Sequence, residues 1–269
     1  VVFGEHALGN NILGTEQSIN SIQKADFKAF LNEHLSNERI VFSVVGPGAF
    51  KEDLKVAEKY LQHVPEYSSY KSRIKPIPLH GKRKNVNKNF GRAYCAIGRD
   101  AYSIHENERI PFFMLTNILG GPAMNSRLNL SLREKHGYVY SIDASFSSYS
   151  DTGIFGIFFG TEKKFLSRSI KIVLSELKKL RTKRLGSLQL HKAKQQIKGQ
   201  LAMAEENNTN VMLMMGRSLL DLNRIDPIDY IFKQIDQQTS SSLLEIAERM
   251  FSEDQLNYLI FNPNNHGDY

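Results

Sequence analysis

The chain has 269 residues, 41% of them hydrophobic and 10% aromatic, with 18 glycines and 8 prolines, a composition that sustains a packed core and excludes a disordered or fibrous polymer. No apolar run reaches the roughly 18 to 20 residues of a membrane-spanning helix, and a single cysteine, Cys95, excludes an internal disulfide and leans toward a reducing, cytoplasmic setting. Lys and Arg number 35 against 28 Asp and Glu, a formal charge of +7 that suits either a polyanion partner or a lysine-rich solvated surface.

In chain order, Ser21 reads as the N-cap of a helix carrying Phe27, Phe30, Leu31 and Leu35, and residues 40–45 read as a buried strand stopped by Gly46-Pro47-Gly48. Leu54, Ala57, Tyr60 and Leu61 mark another amphipathic helix, followed by a polar, basic linker over 64–75. A strand is expected at 94–97, a helix at 111–119 ended by Gly120-Gly121, and a helix at 127–135 ended by Gly137. Two β-rich runs, 138–148 and 153–161, flank the hairpin signal Ser150-Asp151-Thr152-Gly153. Long helices are predicted over 164–180 and 187–222, shorter ones from Pro227 and Ser240, and a last strand at 256–261 before Asn262-Pro263.

The chain echoes itself. Laid without a gap on residues 235–263, residues 19–47 place Phe27 on Leu243, Phe30 on Ile246, Leu35 on Phe251, and Ile40, Phe42 and Val44 on Leu256, Tyr258 and Ile260, with Pro47 on Pro263. The interval is far longer than a solenoid period and reads as a duplicated domain. With a start at Val1-Val2-Phe3 that lacks an initiator Met or a leader, the expectation is the tail of a first copy followed by a complete second one, with about 140 residues of the first copy lying upstream if the repeat is regular.

Catalytic apparatus is hard to find. None of the eight histidines has another three or four positions away, so no helix presents two imidazoles to one metal, and no metal site is legible. Cys95 lies mid-strand with no sequence-adjacent base and reads as a structural thiol. Nucleophile-elbow, phosphate-loop and dinucleotide motifs are absent. The basic stretches 71–92 and 163–198 carry neither aromatic platforms nor a nucleic-acid motif, and the second interleaves its lysines with Ile170, Val173, Leu174, Leu177 and Leu180 as a solvated helix face. Arg127 could bind an acidic substrate group but reads first as a solvent or loop contact, and Met203, Met212, Met214 and Met215 could form a plastic peptide surface but read first as core or inter-domain packing on a long helix.

One segment is distinctive: Gly120-Gly121-Pro122-Ala123-Met124-Asn125-Ser126-Arg127 leads into a helix, Leu132-Arg133-Glu134-Lys135-His136-Gly137-Tyr138-Val139-Tyr140 leads into a strand, and Tyr149-Ser150-Asp151-Thr152-Gly153 follows. This run closely resembles the second, C-terminal homologous domain of the M16 metallopeptidases (pitrilysin, insulinase and mitochondrial processing peptidase), and Phe3-Gly4-Glu5-His6-Ala7-Leu8-Gly9 with Ile12-Leu13-Gly14-Thr15 resembles the late part of that family's first domain. The resemblance implies an α+β, LuxS/MPP-like fold: an antiparallel or mixed sheet packed against several helices, preceded by the helix-strand tail of a homologous domain. It implies 1–68 as that tail, 69–75 as linker and 76–269 as the inactive-type, substrate-binding second domain.

The family's zinc site is a His-x-x-Glu-His helix with a distal Glu, all in the first domain, and the motif Glu acts as general base. The motif occurs nowhere in this sequence; Glu5-His6 and Glu33-His34 are preceded by Val2 and Phe30 where the leading His belongs. The resemblance implies that zinc and base belong to the parent protein, that this chain alone is inactive, and that Arg133 and Tyr140 hold the substrate backbone and support the reacting carbonyl. The alternatives for those two are a helix-terminal Arg favoured by the dipole and a strand Tyr packed on the core. Gly120, Gly121, Asn125 and Ser126 form a possible cleft loop, although the two glycines also serve as a helix end. The implied partners are a peptide or unfolded polypeptide, the first catalytic domain, and a second M16 subunit in a homo- or heterodimer. Two other readings stand beside this one: a non-catalytic scaffold subunit of an M16 heteromer and, last, a basic nucleic-acid-binding module.

Overall fold

Alternating apolar positions over 93–97, 142–146 and 153–161 and amphipathic stripes over 109–120, 166–182 and 240–250 have one economical arrangement, a sheet with helices on its apolar face. The computed structural model describes residues 1–36, 38, 40–66 and 73–263. Its helices are α1 (Glu16–Ser21), α2 (Lys24–His34), α3 (Phe50–Leu61), α4 (Arg109–Gly120), α5 (Leu166–Thr182), α6 (Ser187–Glu205), α7 (Asn208–Leu222), α8 (Ile228–Gln237) and α9 (Ser240–Met250), with a π-helix at Asn129–Glu134. Its strands are β1 (Arg83–Lys88), β2 (Ala93–Ala101), β3 (Val139–Ser148), β4 (Gly153–Thr161) and β5 (Asn257–Pro263), in the order β1-β5-β2-β4-β3. The chain divides into two compact units, residues 1–9 with 75–198 and 231–269, and residues 10–74 with 199–230.

The first unit holds the sheet. β1 runs parallel to β5 and every other pairing is antiparallel, a mixed α+β sheet as the sequence predicts. Ala93, Cys95 and Ile97 of β2, Phe155, Ile157 and Phe159 of β4 and Ile142 and Ala144 of β3 are buried where α4, α5 and α9 pack. Phe112 of α4 lies at the centre, its ring 4.9 to 5.9 Å from those of Phe146, Phe155 and Phe251. At Gly120 a Cβ would sit 2.7 Å from the Ala144 Cβ, so the missing side chain lets α4 close on β3.

Several expectations are corrected. β1, with the sequence Arg-Lys-Asn-Val-Asn-Lys, has no apolar alternation and escaped a periodicity reading; parallel pairing to β5 holds it at the sheet edge, where charged side chains keep further strands from adding. The predicted helix at 127–135 is present over 127–134 but widens to π geometry over Asn129–Glu134: Lys135 N donates to Leu130 O at 3.0 Å. The single helix predicted over 187–222 is two, because the Asn207 side chain accepts from Thr209 N and Asn210 N and starts α7 afresh.

In the second unit Ser21 is not an N-cap. Its hydroxyl donates back to Ser18 O at the end of α1, and Thr15 caps that helix in a reciprocal box with Ser18. Residues 40–45 belong to no strand pair among the described residues, and Phe42 and Val44 are exposed; a strand needs a neighbour's ladder, and no described segment supplies one. The Ser43 hydroxyl instead donates to Met212 O of α7 at 2.8 Å. Residues 67–72 of the predicted linker lie outside the described residues.

Candidate functional site

Arg133 is carried by the π-helix, whose buried Leu128, Asn129 and Leu132 anchor it while Arg133 stays 44% exposed in its side chain. The turn ends on Gly137, at φ +62, where Gly137 N donates to Arg133 O and Tyr138 N to Leu132 O, both at 3.0 Å. This is the nested pair of bonds of a glycine-ended helix widened by one residue, as a π-turn requires. His136 Nδ1 lies 2.6 Å from Ser131 O, and the Tyr138 ring stacks on Phe165 at 4.6 Å. Both contacts hold the turn, and β3 packs against the π-helix. The guanidinium meets one carboxylate, that of Glu134, at 3.8 Å, an exposed pair that leaves donors available.

Tyr140 follows on β3. Val139 pairs with Thr161 and Ile142 with Phe159, so Tyr140 and Ser141 together oppose Gly160: a β-bulge. The extra residue lets Val139 and Ile142 both face the core while Tyr140 and Ser141 both face out, leaving Tyr140 79% exposed. The alternative of a core-packed Tyr is thereby removed. The sequence carried a signal for the bulge, since Val139 is out of phase with Ile142, Ala144 and Phe146. Five guanidinium donors and one phenolic donor, presented by the end of one turn and the start of the next strand, suit an acceptor oxygen that is gaining charge. Burial raises the Asp143 carboxyl, further along the same strand, above the usual carboxylate range.

The glycine turn is placed differently. Gly120 and Gly121 are buried, Gly120 against Ala144 and Gly121 against the backbone of Asn117. Gly121 ends α4 without adopting a left-handed conformation. Ser126 is buried and accepts from Asn129 Nδ2 at 2.9 Å. Asn125 is exposed and donates to Gln196 Oε1 at 3.0 Å, while Gln196 donates to Asn117 Oδ1 at 3.2 Å. Arg127 is half-buried beside Glu176, at 4.0 Å, rather than free in solvent. Burial lowers its guanidinium, and Glu176 works in the opposite direction. Gln196 and Glu176, which lie far from this turn in sequence, were not legible as its neighbours.

Among the described residues no three His, Cys, Asp or Glu come together as metal ligands, so the described side chains do not fit a zinc ion. No described helix is long and apolar enough to cross a membrane.

Residues 21–197 match the peptidase M16 inactive domain. The uncharacterized zinc protease YmxG of Bacillus subtilis (strain 168) is 26% identical over 258 residues, covering 94% of this chain and 61% of the relative. The alpha subunit of the mitochondrial-processing peptidase of Solanum tuberosum is 25% identical over 256 residues, covering 91% and 50%. The chain thus spans half to three fifths of the length of these curated relatives. Among solved structures, the peptidase M16 inactive domain from Pseudomonas fluorescens superposes with a TM-score of 0.89 at 16% identity over 100% of this chain and 64% of that one. A chain of complex III2 from Candida albicans gives 0.83 at 20% identity, over 97% and 64%. With two thirds of its length matched to that domain and the same fold, the chain belongs to the peptidase M16 inactive domain family.

Proposed function

We propose that this chain is the substrate-holding portion of a zinc-dependent M16 endopeptidase, in which Arg133 and Tyr140 grip the backbone of a peptide or unfolded polypeptide at the bond to be cut. The observation that carries the reading is the bulge that turns Tyr140 outward directly after the turn bearing Arg133. In this reading the guanidinium forks onto a substrate carbonyl and the phenol donates to the same developing oxyanion, stabilising charge that is small in the bound substrate and large in the transition state. Zinc ligands and general base belong to polypeptide outside this chain.

The proposed organisation is 1–68 as the tail of the catalytic-type domain, 69–75 as linker and 76–269 as the complete second domain. Its support is a contrast within the internal echo. Leu243, Ile246 and Phe251 are buried, whereas their counterparts Phe27, Phe30 and Leu35 are exposed, Phe30 by 62%; the same pattern has a core in one place and lacks one in the other. A second reading, a non-catalytic partner in an M16 heteromer, is favoured by relatives that are themselves named alpha and beta subunits. A His-x-x-Glu-His motif in the longer protein would separate the two.

The test uses that longer protein. Arg133→Ala and Tyr140→Phe are each expected to lower kcat for peptide cleavage by about 100-fold with little change in KM, the loss typical of one oxyanion donor. Unchanged kcat in both variants would remove the assigned role.

A further inference from the structure

Between the loop after α4 and the first turns of α6 lies a pocket of about 260 Å³. We propose that it is a binding site for a carboxylate attached to an apolar group. It uses neither Arg133 nor Tyr140 and stands independently of the peptide-holding reading.

The chemistry follows from the lining. Arg127 and Lys192 bring two positive charges to the pocket, and no Asp or Glu lines it. Glu176, the carboxylate beside Arg127, accepts from Lys179 Nζ at 2.6 Å through one oxygen and faces Arg127 at 4.0 Å with the other. The Arg127 guanidinium is thus half-buried with its ion-pair partner beyond hydrogen-bond distance, so donors remain for an arriving anion. Amide donors stand beside it. Gln196 is fixed between Asn125 and Asn117 by hydrogen bonds at 3.0 and 3.2 Å, so this wall is ordered before a ligand arrives, which lowers the entropy lost on binding. Leu130 and Leu185 supply the apolar side. Two cations, oriented amides and an aliphatic wall match a carboxylate bonded to a hydrocarbon, and they match neither a cation nor a neutral lipid.

A carboxylate of this kind occurs at a chain's C-terminus and on an acidic side chain, and the experiment separates the two. The full chain is titrated calorimetrically with N-acetyl-leucine, with N-acetyl-leucinamide, and with the α-amide of N-acetyl-glutamate. Saturable one-site binding is expected for at least one of the two acids, weakening with added salt, and none for the leucinamide. Binding of N-acetyl-leucine identifies a terminal carboxylate as the ligand, and binding of the glutamate derivative identifies a side-chain one. Lys192→Gln, at an exposed position, should weaken binding about tenfold, and Arg127→Gln by more, each having lost a charge-assisted contact. The exposed Lys192 variant keeps the test decisive if the Arg127 variant folds poorly. Failure of both acids to bind, equal binding of the leucinamide, or unchanged affinity in the Lys192 variant would overturn the site.

Discussion

Cys95 shows how one residue's chemistry is settled by its place in a strand. It faces the core from β2, paired opposite Phe159 and Ile260, and burial pushes its thiol from an ordinary 9.0 up to about 12, with Arg83 opposing weakly. A thiol reagent at about pH 8 should therefore leave the folded chain unmodified and label it only on unfolding, since the thiolate is the reactive form. The linkage has a definite sign. With the folded value above the unfolded one, the contribution of this thiol to stability is complete below pH 9 and is lost as pH rises from 9 toward 12. Gly120 makes the complementary point about space. A Cβ there meets the Ala144 Cβ at 2.7 Å and the Ala144 nitrogen at 3.0 Å, so Gly120→Ala should cost about 1 to 3 kcal/mol in denaturant unfolding, as overpacking does. The inert thiol was legible in the sequence as an apolar strand position. The role of Gly120 was not, because its neighbour in the fold lies on a strand 24 positions away.

At the scale of elements, the features that set Arg133 and Tyr140 are both irregularities. The π-turn over Asn129–Glu134 and the bulge between Val139 and Ile142 each insert one residue beyond the regular pattern, and such insertions re-aim side chains. Deleting Ser141 removes the bulge while keeping Val139 and Ile142 toward the core. Tyr140 keeps the outer face but loses the bend and twist that the bulge gives the strand, so the variant should still unfold cooperatively while cleavage by the longer protein drops at least about tenfold. Retention of full activity would show that the bulge has no part in positioning it. Regular elements with clean periods, β4 and α9 among them, fall where the sequence pattern puts them. The exceptions share a cause. β1 lacks alternation, residues 40–45 have no strand partner among the described residues, and the α6–α7 break turns on a side chain capping its own backbone; each is decided by a contact that hydrophobic period does not encode.

Across the whole molecule, the sequence was most informative where it resembled a family and least where position alone had to carry function. The mixed sheet, its helical cover and the family are shown by the fold and the matched residues 21–197. We propose that Arg133 and Tyr140 grip the substrate by binding charge that exists in the transition state and not in the peptide. One measurement addresses that directly. In the longer protein, the affinity of a phosphinic peptide that mimics the tetrahedral intermediate is compared with kcat/KM across the parent, Arg133→Lys, Arg133→Ala and Tyr140→Phe. The two are expected to fall together, in proportion, through the series. A phosphinate affinity that stays constant while cleavage declines, or a series in which neither changes, would contradict it.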